Sequence, residues 1–464
     1  MPEGGITVTN QSLSRRKFLS VVASGAAAAG CATRLNTAQI VPGVLSPNEK
    51  LNIAAVGVGG MGGANLKACA AENIVALCDV DDAYAANTFA AYPRARRYKD
   101  FRKMFDAEAN NIDAVIIATP DHTHAVIAMT AMRLGKHVYC QKPLAHSLHE
   151  VRRLTETARE CKVQTQMGNQ GHSSDEIRRV KEWVADGAIG PVREVHAWSD
   201  RPVGGDPWST FPIMKRPADT PAVPESLDWD LWLGPSPHRP YHPIYHPMQW
   251  RGWYAFGTGA LGDMGCHILD PAFWALDLRH PTSVEATTTH WEKEVSDETY
   301  PRACIVRYEF PARGKMPPVR LTWYDGRLKP PFPRDFDPRQ RFDSNGALLV
   351  GDKGTILHGS HGAGNPLLLP KKLRQSYKQP AETIPRVKDE AHEHDWIRAC
   401  KDGKPASSSF EYGGALTEMV LLGVLAMRLP DRRLLWDGVA MRFTNDEEAN
   451  AFINPPYRVG WTLE

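Results

Sequence analysis

Charge of one sign is what this 464-residue chain lacks most: 55 lysines and arginines stand against 53 aspartates and glutamates, a formal net charge of +2. That balance gives no electrostatic case for nucleic acid or an anionic membrane as a partner. Long hydrophobic runs are missing too. The most apolar stretch near the start, Ser20 to Gly30, is too short and too alanine-rich to remain in a bilayer as a spanning helix. Cysteine is sparse, with eight scattered at 31, 69, 78, 140, 161, 266, 304 and 400, and no C-x-x-C pair marks zinc or a redox dithiol. Buried thiols are the expectation that remains. His238, His242 and His246 recur every four residues, but Pro240, Pro243 and Pro247 deny them the helix that would make them metal ligands. No metal is expected.

The first 31 residues stand apart from the rest. Ser14-Arg15-Arg16-Lys17-Phe18-Leu19 and the mild apolar stretch after it resemble a twin-arginine export signal. Ala28-Ala29-Gly30-Cys31 loosely resembles a lipobox, so the mature chain is expected either lipidated at Cys31 or simply cleaved. The route implied carries folded proteins through the twin-arginine machinery to the periplasm or the outer face of a bacterial membrane.

What the chain has in place of charge or cysteine is a glycine pattern. Leu51 to Val56 is a short apolar run, and it opens into Gly57-Val-Gly59-Gly-Met61-Gly62, a G-x-G-x-x-G. Such a loop makes a tight turn at the first glycine, a close backbone approach to pyrophosphate at the second, and close helix packing at the third. Asp79 ends the next apolar run, about 20 residues on, where an acid meets the ribose hydroxyls. Its carboxylate would repel a 2′-phosphate and Val80-Asp81-Asp82 supply no arginine, so NAD is favoured over NADP.

At this length two domains are expected, a dinucleotide-binding domain over 50–170 and a substrate and oligomerisation domain over 171–464. From residue 50 the pattern alternates as a parallel sheet with crossover helices requires. Strands are expected at 51–56, 74–78, 114–118, 137–140 and 163–167, with helices at 62–71, 82–91, 101–105 and 122–134 and one opened by the capping box Ser147-x-x-Glu150. Beyond Gly168, a helix over 176–186 precedes alternating runs at 192–199, 283–289, 303–310, 319–323 and 348–357. These predict one large open, mostly antiparallel sheet, an α+β domain behind the Rossmann domain. Eleven prolines between Pro202 and Pro247 predict long irregular loops, and 360–388 reads as irregular as well. Helices over 389–401 and 413–427 close the compact part.

Three further segments carry chemistry: Thr119-Pro120-Asp121-His122-Thr123-His124, Cys140-Gln141-Lys142-Pro143, and Asp263-Met264-Gly265-Cys266-His267. The first two follow strands, and in an open parallel sheet ligands bind at the strands' C-terminal ends. With the glycine loop, this set resembles the Gfo/Idh/MocA family of sugar oxidoreductases, which combines a Rossmann domain, T-P-x-x-x-H, E-K-P and a later D-x-G-x-H. The resemblance covers almost all of 50–460. It implies that Thr119 and His124 lie along the cofactor, beside Met61 and Gln141, and that Lys142 stands next to the nicotinamide and the reacting carbinol. Asp263 and His267 are implied to face them from the second domain.

Oxidising an alcohol carbon requires a base for the hydroxyl proton, best with a pKa near the ambient pH. His267 suits that role without adjustment, leaving Lys142 to orient and polarise the substrate oxygen, although the two roles could be exchanged. Asp263 would fix the imidazole or bind a hydroxyl. Gln141 replaces the family's glutamate, so Lys142 is expected to lose its proton more easily here. Gln170, His172, Arg251 and Trp253 are candidate contacts to hydroxyls or an acid group. Seven of the thirteen tryptophans, at 183, 198, 208, 229, 232, 250 and 253, lie in or beside the proline-rich loops, where they would either stack on sugar rings or pin the loops to the body.

The function expected is an exported NAD-dependent oxidoreductase acting on a secondary alcohol of a sugar or polyol. Because little free NAD exists outside the cytoplasm, the cofactor is expected to travel already bound. Two alternatives follow from the same motifs. One is a glycosidase that oxidises its sugar transiently and returns the hydride; the other is a carbohydrate or cofactor sensor without turnover. An open sheet face needs covering, and relatives use it to form homo-oligomers.

Overall fold

The computed structural model describes residues 49–289, 292–333, 336–337 and 339–464, which belong to one compact unit. The export-signal segment and Cys31 lie outside the described residues.

Runs of three to six residues build the first sheet: β1 Asn52–Val56, β2 Asn73–Cys78, β3 Arg96–Tyr98, β4 Ala114–Ile117, β5 His137–Gln141 and β6 Thr165–Gly168. Every pairing is parallel, in the order β3-β2-β1-β4-β5-β6. The central strand β4 is buried along its whole length, as a strand covered by helices on both faces must be. The order reverses between β1 and β4, and the crevice at that switch point is where such sheets bind ligands.

Nine strands form the second sheet. They are β7 Val192–Trp198, β8 Ser283–Thr288, β9 Cys304–Phe310, β10 Val319–Tyr324, β11 Gly346–Gly351, β12 Thr355–His358, β13 Leu367–Leu369, β14 Arg433–Asp437 and β15 Arg442–Phe443. Their order is β13-β12-β11-β7-β10-β9-β8-β14-β15, antiparallel except where β7 runs parallel to β10. The helix Phe410–Ala426 is apolar all round and packs on Leu148–Cys161 of the first lobe, on Gly259–Ile268 of the second, and on β8. It is the shared core element of the two lobes.

The capping box forms as expected, with the Ser147 side chain and the Glu150 side chain each accepting a backbone N–H. Several boundaries differ. The helix expected from residue 82 starts only at Ala86, because the Asp81 carboxylate accepts the backbone N–H groups of Ala83 and Tyr84 and closes a turn there. Strand β3 escaped a hydrophobic reading because Arg96-Arg97 is its sequence. The stretch 360–388 is not wholly irregular, since it contributes β13 and the helix Lys371–Ser376.

Candidate active site

Four turns at strand C-terminal ends converge on one cleft of about 310 Å³, and the second lobe supplies the opposite wall. After β1, Gly57 adopts φ +77°, and its carbonyl oxygen lies 1.8 Å from where a Cβ on Gly62 would stand. Only glycine allows the helix beginning at Gly60 to approach so closely. After β2, the buried Asp79 carboxylate accepts backbone N–H groups from Val58 at 2.8 Å, Gly59 at 3.2 Å and Asp81 at 3.0 Å. Burial pushes its pKa up, against the pull of those three donors. Asp79 therefore holds the glycine loop in shape as well as lining the cleft. A dinucleotide fits this wall: a side-chain-free loop leads into a helix N-terminus, and an acid stands at the end of β2. Met61, 48% exposed, borders the same wall.

The bare face of Gly59 meets a neighbour that the sequence did not reveal. A Cβ there would come within 2.2 Å of the Tyr84 ring. Tyr84 in turn meets His246 edge to face, with centroids 5.8 Å apart. His246 Nε2 lies 2.9 Å from Asp81 Oδ2. Around this contact the proline-rich segment of the second lobe is laced onto the first. Asp82 N–H donates to Ser226 O at 3.1 Å, Asp228 N–H donates to Val80 O at 2.9 Å, and Lys99 Nζ donates to Ser226 O at 3.0 Å. A strap thus crosses the sheet beside Asp79. The three histidines at four-residue spacing part company here, His246 going to Asp81 and His242 towards Asp219.

After β4 and β5, His124 ties two turns together, its Nδ1 lying 2.9 Å from Pro143 O and its Nε2 2.8 Å from Thr119 O. Burial lowers its pKa to about 4, so the ring is neutral and has one N–H for two carbonyls. Thr119 and Gln141 line the cleft, and the Gln141 amide donates to Asn65 Oδ1 at 3.0 Å.

Lys142 Nζ donates to Asp263 Oδ1 at 2.7 Å and to Asp263 O at 2.6 Å. Asp263 also pairs with Arg201 through its other carboxylate oxygen and stands 3.5 Å from Arg251 Nε. Burial alone would raise the Asp263 pKa, but Lys142, Arg201 and Arg251 hold it well below the usual carboxylate range. The carboxylate that position 141 lacks thus reaches Lys142 from Asp263. Asp263 fixes the lysine rather than the imidazole.

His267, one turn further along the helix Gly259–Ile268, faces the same cleft. Burial, then the Lys142 charge and His361, push its pKa well below the ordinary value, so the ring is strongly adjusted and neutral. Its Nδ1 has no partner among the described residues. His361 stacks on it, with centroids 4.1 Å apart, from a loop in the segment read as irregular. Asp121 is another residue the motif reading passed over. Fully buried, it accepts from Thr258 Oγ1 at 2.6 Å, and burial raises its pKa to about 7.

Of the weaker candidates, Gln170 and Arg251 line the cleft. His172 does not. It is buried beyond the cleft with Nδ1 3.0 Å from the Asp270 carboxylate, packed between Trp274 and Tyr412, because the turn after β6 points it into the second lobe's core. Trp253 is likewise core, with no exposure, packed edge-on to Tyr245. Trp229 and Trp232 stack at 4.6 Å in the same aromatic cluster. Of the seven, Trp208, 53% exposed, Trp232, and Trp250, which lies under the Arg251 guanidinium, border the cleft. Arg201 had no motif to announce it beyond its place just after β7.

Residues 51–169 match the model of an oxidoreductase family's NAD-binding Rossmann fold, and residues 173–309 match that family's C-terminal alpha/beta domain. The levoglucosan dehydrogenase of Pseudarthrobacter phenanthrenivorans is 27% identical over 258 residues, covering 53% of this chain and 56% of its own length. The inositol 2-dehydrogenase of Rubrobacter xylanophilus is 31% identical over 161 residues, 32% of this chain and 44% of that protein. The chain spans about half the length of these curated relatives. A solved levoglucosan dehydrogenase, in complex with NADH and levoglucosan, shares the fold with a TM-score of 0.54 at 18% identity, over 83% of this chain and 99% of that one.

Proposed function

The chain belongs to the Gfo/Idh/MocA oxidoreductase family, and from that premise we propose that it is an NAD-dependent enzyme oxidising a secondary alcohol of a sugar or polyol, or reducing the matching ketone. One observation carries the reading: the Lys142 ammonium and the neutral His267 ring meet in one cleft with the glycine loop and Asp79. Gly57, Gly59, Gly62 and Asp79 would hold the dinucleotide, with Thr119 and Gln141 along it. When bound, NAD supplies the hydride acceptor or donor.

The protein's own part is proton handling and orientation. Lys142, fixed by the two bonds it donates to Asp263, directs a remaining N–H at the substrate oxygen and stabilises negative charge as it develops there. His267 is neutral and its ring lines the cleft, where it would take the hydroxyl proton. Asp263 is a positioning residue, and His361 covers the imidazole face and excludes water from it.

The cofactor is retained between turnovers. What supports this is the strap over the Asp79 end of the cleft, with Tyr84 against Gly59 and His246 against Asp81. Export is of the folded, loaded protein, on the strength of Arg15-Arg16 and the apolar stretch after them, and the open face of the nine-stranded sheet pairs with a second copy.

The test is to purify the protein without added nucleotide, identify what copurifies by mass spectrometry, and follow NADH absorbance on adding sugars. Bound NAD and an NADH signal are expected. Release of a free sugar with no lasting NADH would favour the redox-neutral glycosidase, and nucleotide without reaction of any sugar would favour the sensor. Changing Arg15-Arg16 to Lys-Lys should trap the protein in the cytoplasmic fraction.

A further inference from the structure

The substrate end of the cleft carries more positive charge than its own acids balance. Three cations face it, Lys142, Arg201 and Arg251, and a single fully ionised carboxylate, Asp263, serves them all. Asp121, the other acid at this end, is about half ionised near pH 7. His267 and His361 both have lowered pKa values, burial being the first cause for each, so neither adds or removes charge there. Asp206, which also feels Arg201, is turned away onto Ser209 and the backbone N–H of Trp208. The remaining charged residues of the cleft, Asp79, Lys99 and Asp100, lie at the β2–β3 end, two strands away.

Both guanidinium groups have donors to spare. Arg201 uses one nitrogen on Asp263, and its other donors have no partner among the described residues. Arg251 gives one bond to Met248 O at 3.1 Å, lies over Trp250 with its guanidinium carbon 4.2 Å from the ring centroid, and reaches Asp263 only at 3.5 Å. A guanidinium seated over an indole in the cleft lining, with donors unused, can match a planar carboxylate two-pronged. Surplus cations in a partly desolvated site call for an anion that arrives with the ligand. The cofactor's phosphates do not answer this need, because the glycine loop and helix start at Gly60 are built for them.

We propose that the substrate is an acidic sugar, a uronate or aldonate, whose carboxylate is held by Arg201 and Arg251 while its carbinol meets Lys142 and His267. The proposal rests on the oxidoreductase reading and names the substrate class of that same site. The two guanidinium groups offer planar two-pronged donors suited to a carboxylate, and the phosphate is the competing anion that the test includes.

The test varies the substrate, so that protein folding is not in question. The NAD-loaded enzyme is assayed with matched triplets: hexuronate, its methyl ester and the parent neutral hexose, together with the hexose 6-phosphate. The acid is expected to show kcat/KM about 100-fold above its ester and the neutral hexose, mostly through KM. Arg251→Gln should reduce that preference to a few-fold, whereas Arg251→Lys should restore part of it. Equal or better kcat/KM for the neutral hexose or the ester, or preference for the phosphate, would overturn the acidic-sugar assignment and leave the oxidoreductase reading standing. Absence of NADH formation with every member, together with no calorimetric binding of the hexuronate, would overturn both.

Discussion

Lys142 and Asp263 are joined twice, through the aspartate's side chain and through its own main-chain oxygen, across the boundary between the two lobes. The lysine follows β5 of the first sheet and the aspartate lies on a helix of the second lobe, so the pair registers one lobe against the other. Asp263→Asn should therefore lower kcat/KM by about 100-fold while bound nucleotide stays in place. It should also lower thermal stability, because three cations lose their counter-charge; breaking a buried pair costs about 3–5 kcal/mol. Steady-state rates and a melting curve on the same preparation check both. Unchanged rates would show that the pair is structural only.

His267→Gln should lower kcat by about 100-fold to 10,000-fold with little change in KM, as expected for a lost proton acceptor. In the wild type, the depressed His267 pKa moves its protonation to acid pH. The rate of alcohol oxidation should thus stay level as the pH falls through about 6.5, where a free histidine would titrate, and drop only below it. A pH profile of kcat/KM that halves near 6.5 and loses that step in His267→Gln would count against this assignment of the ring.

Asp79 has two duties, and its substitution should reveal both. Asp79→Ala removes the repulsion of a 2′-phosphate, but it also leaves the N–H groups of Val58, Gly59 and Asp81 without their acceptor. Each orphaned buried donor costs about 1–3 kcal/mol. The expected outcome is loss of NAD binding with no gain of NADP binding, read as the melting-temperature rise each nucleotide produces. A variant that switches cleanly to NADP would show that the loop holds itself.

Asp121 gives the protein a pH-dependent stability. Folded, it holds its proton up to about pH 7, whereas an unfolded aspartate releases it near 3.9. Folding then takes up a proton across the window between, so this contribution is complete below about pH 4 and is lost as the pH rises through 7. Asp121→Asn removes the slope and should gain on the wild type by up to about 4 kcal/mol between those limits. Denaturant melts at pH 4.5, 6 and 8 compare the two; parallel curves would place the carboxylate in contact with water.

The first lobe was legible because its signals are local. Gly57, Gly59, Gly62 and Asp79 sit at fixed offsets from β1 and β2, and the position of Lys142 follows from the end of β5. Arg201, His361 and Tyr84 were not legible, since each reaches the cleft through a long-range fold of loop on loop that no periodicity encodes. His172 and Trp253 misled for the complementary reason. A polar or aromatic residue beside a motif looks functional in one dimension, while the turn after β6 sends the first to Asp270 and the aromatic cluster encloses the second. The partner of Lys142 was visible as a residue but not as a partner, because it arrives from 121 positions away.

The single imidazole of His124, seated between Thr119 O and Pro143 O with its one N–H shared between them, links two turns of the first lobe into one jaw. Neither turn can be reshaped without dragging its companion, and with it the lysine that follows β5. Room for divergence in what the cleft accepts therefore lies on the facing lobe, whose Arg201, Arg251 and His361 stand on separate segments and are free to change one at a time.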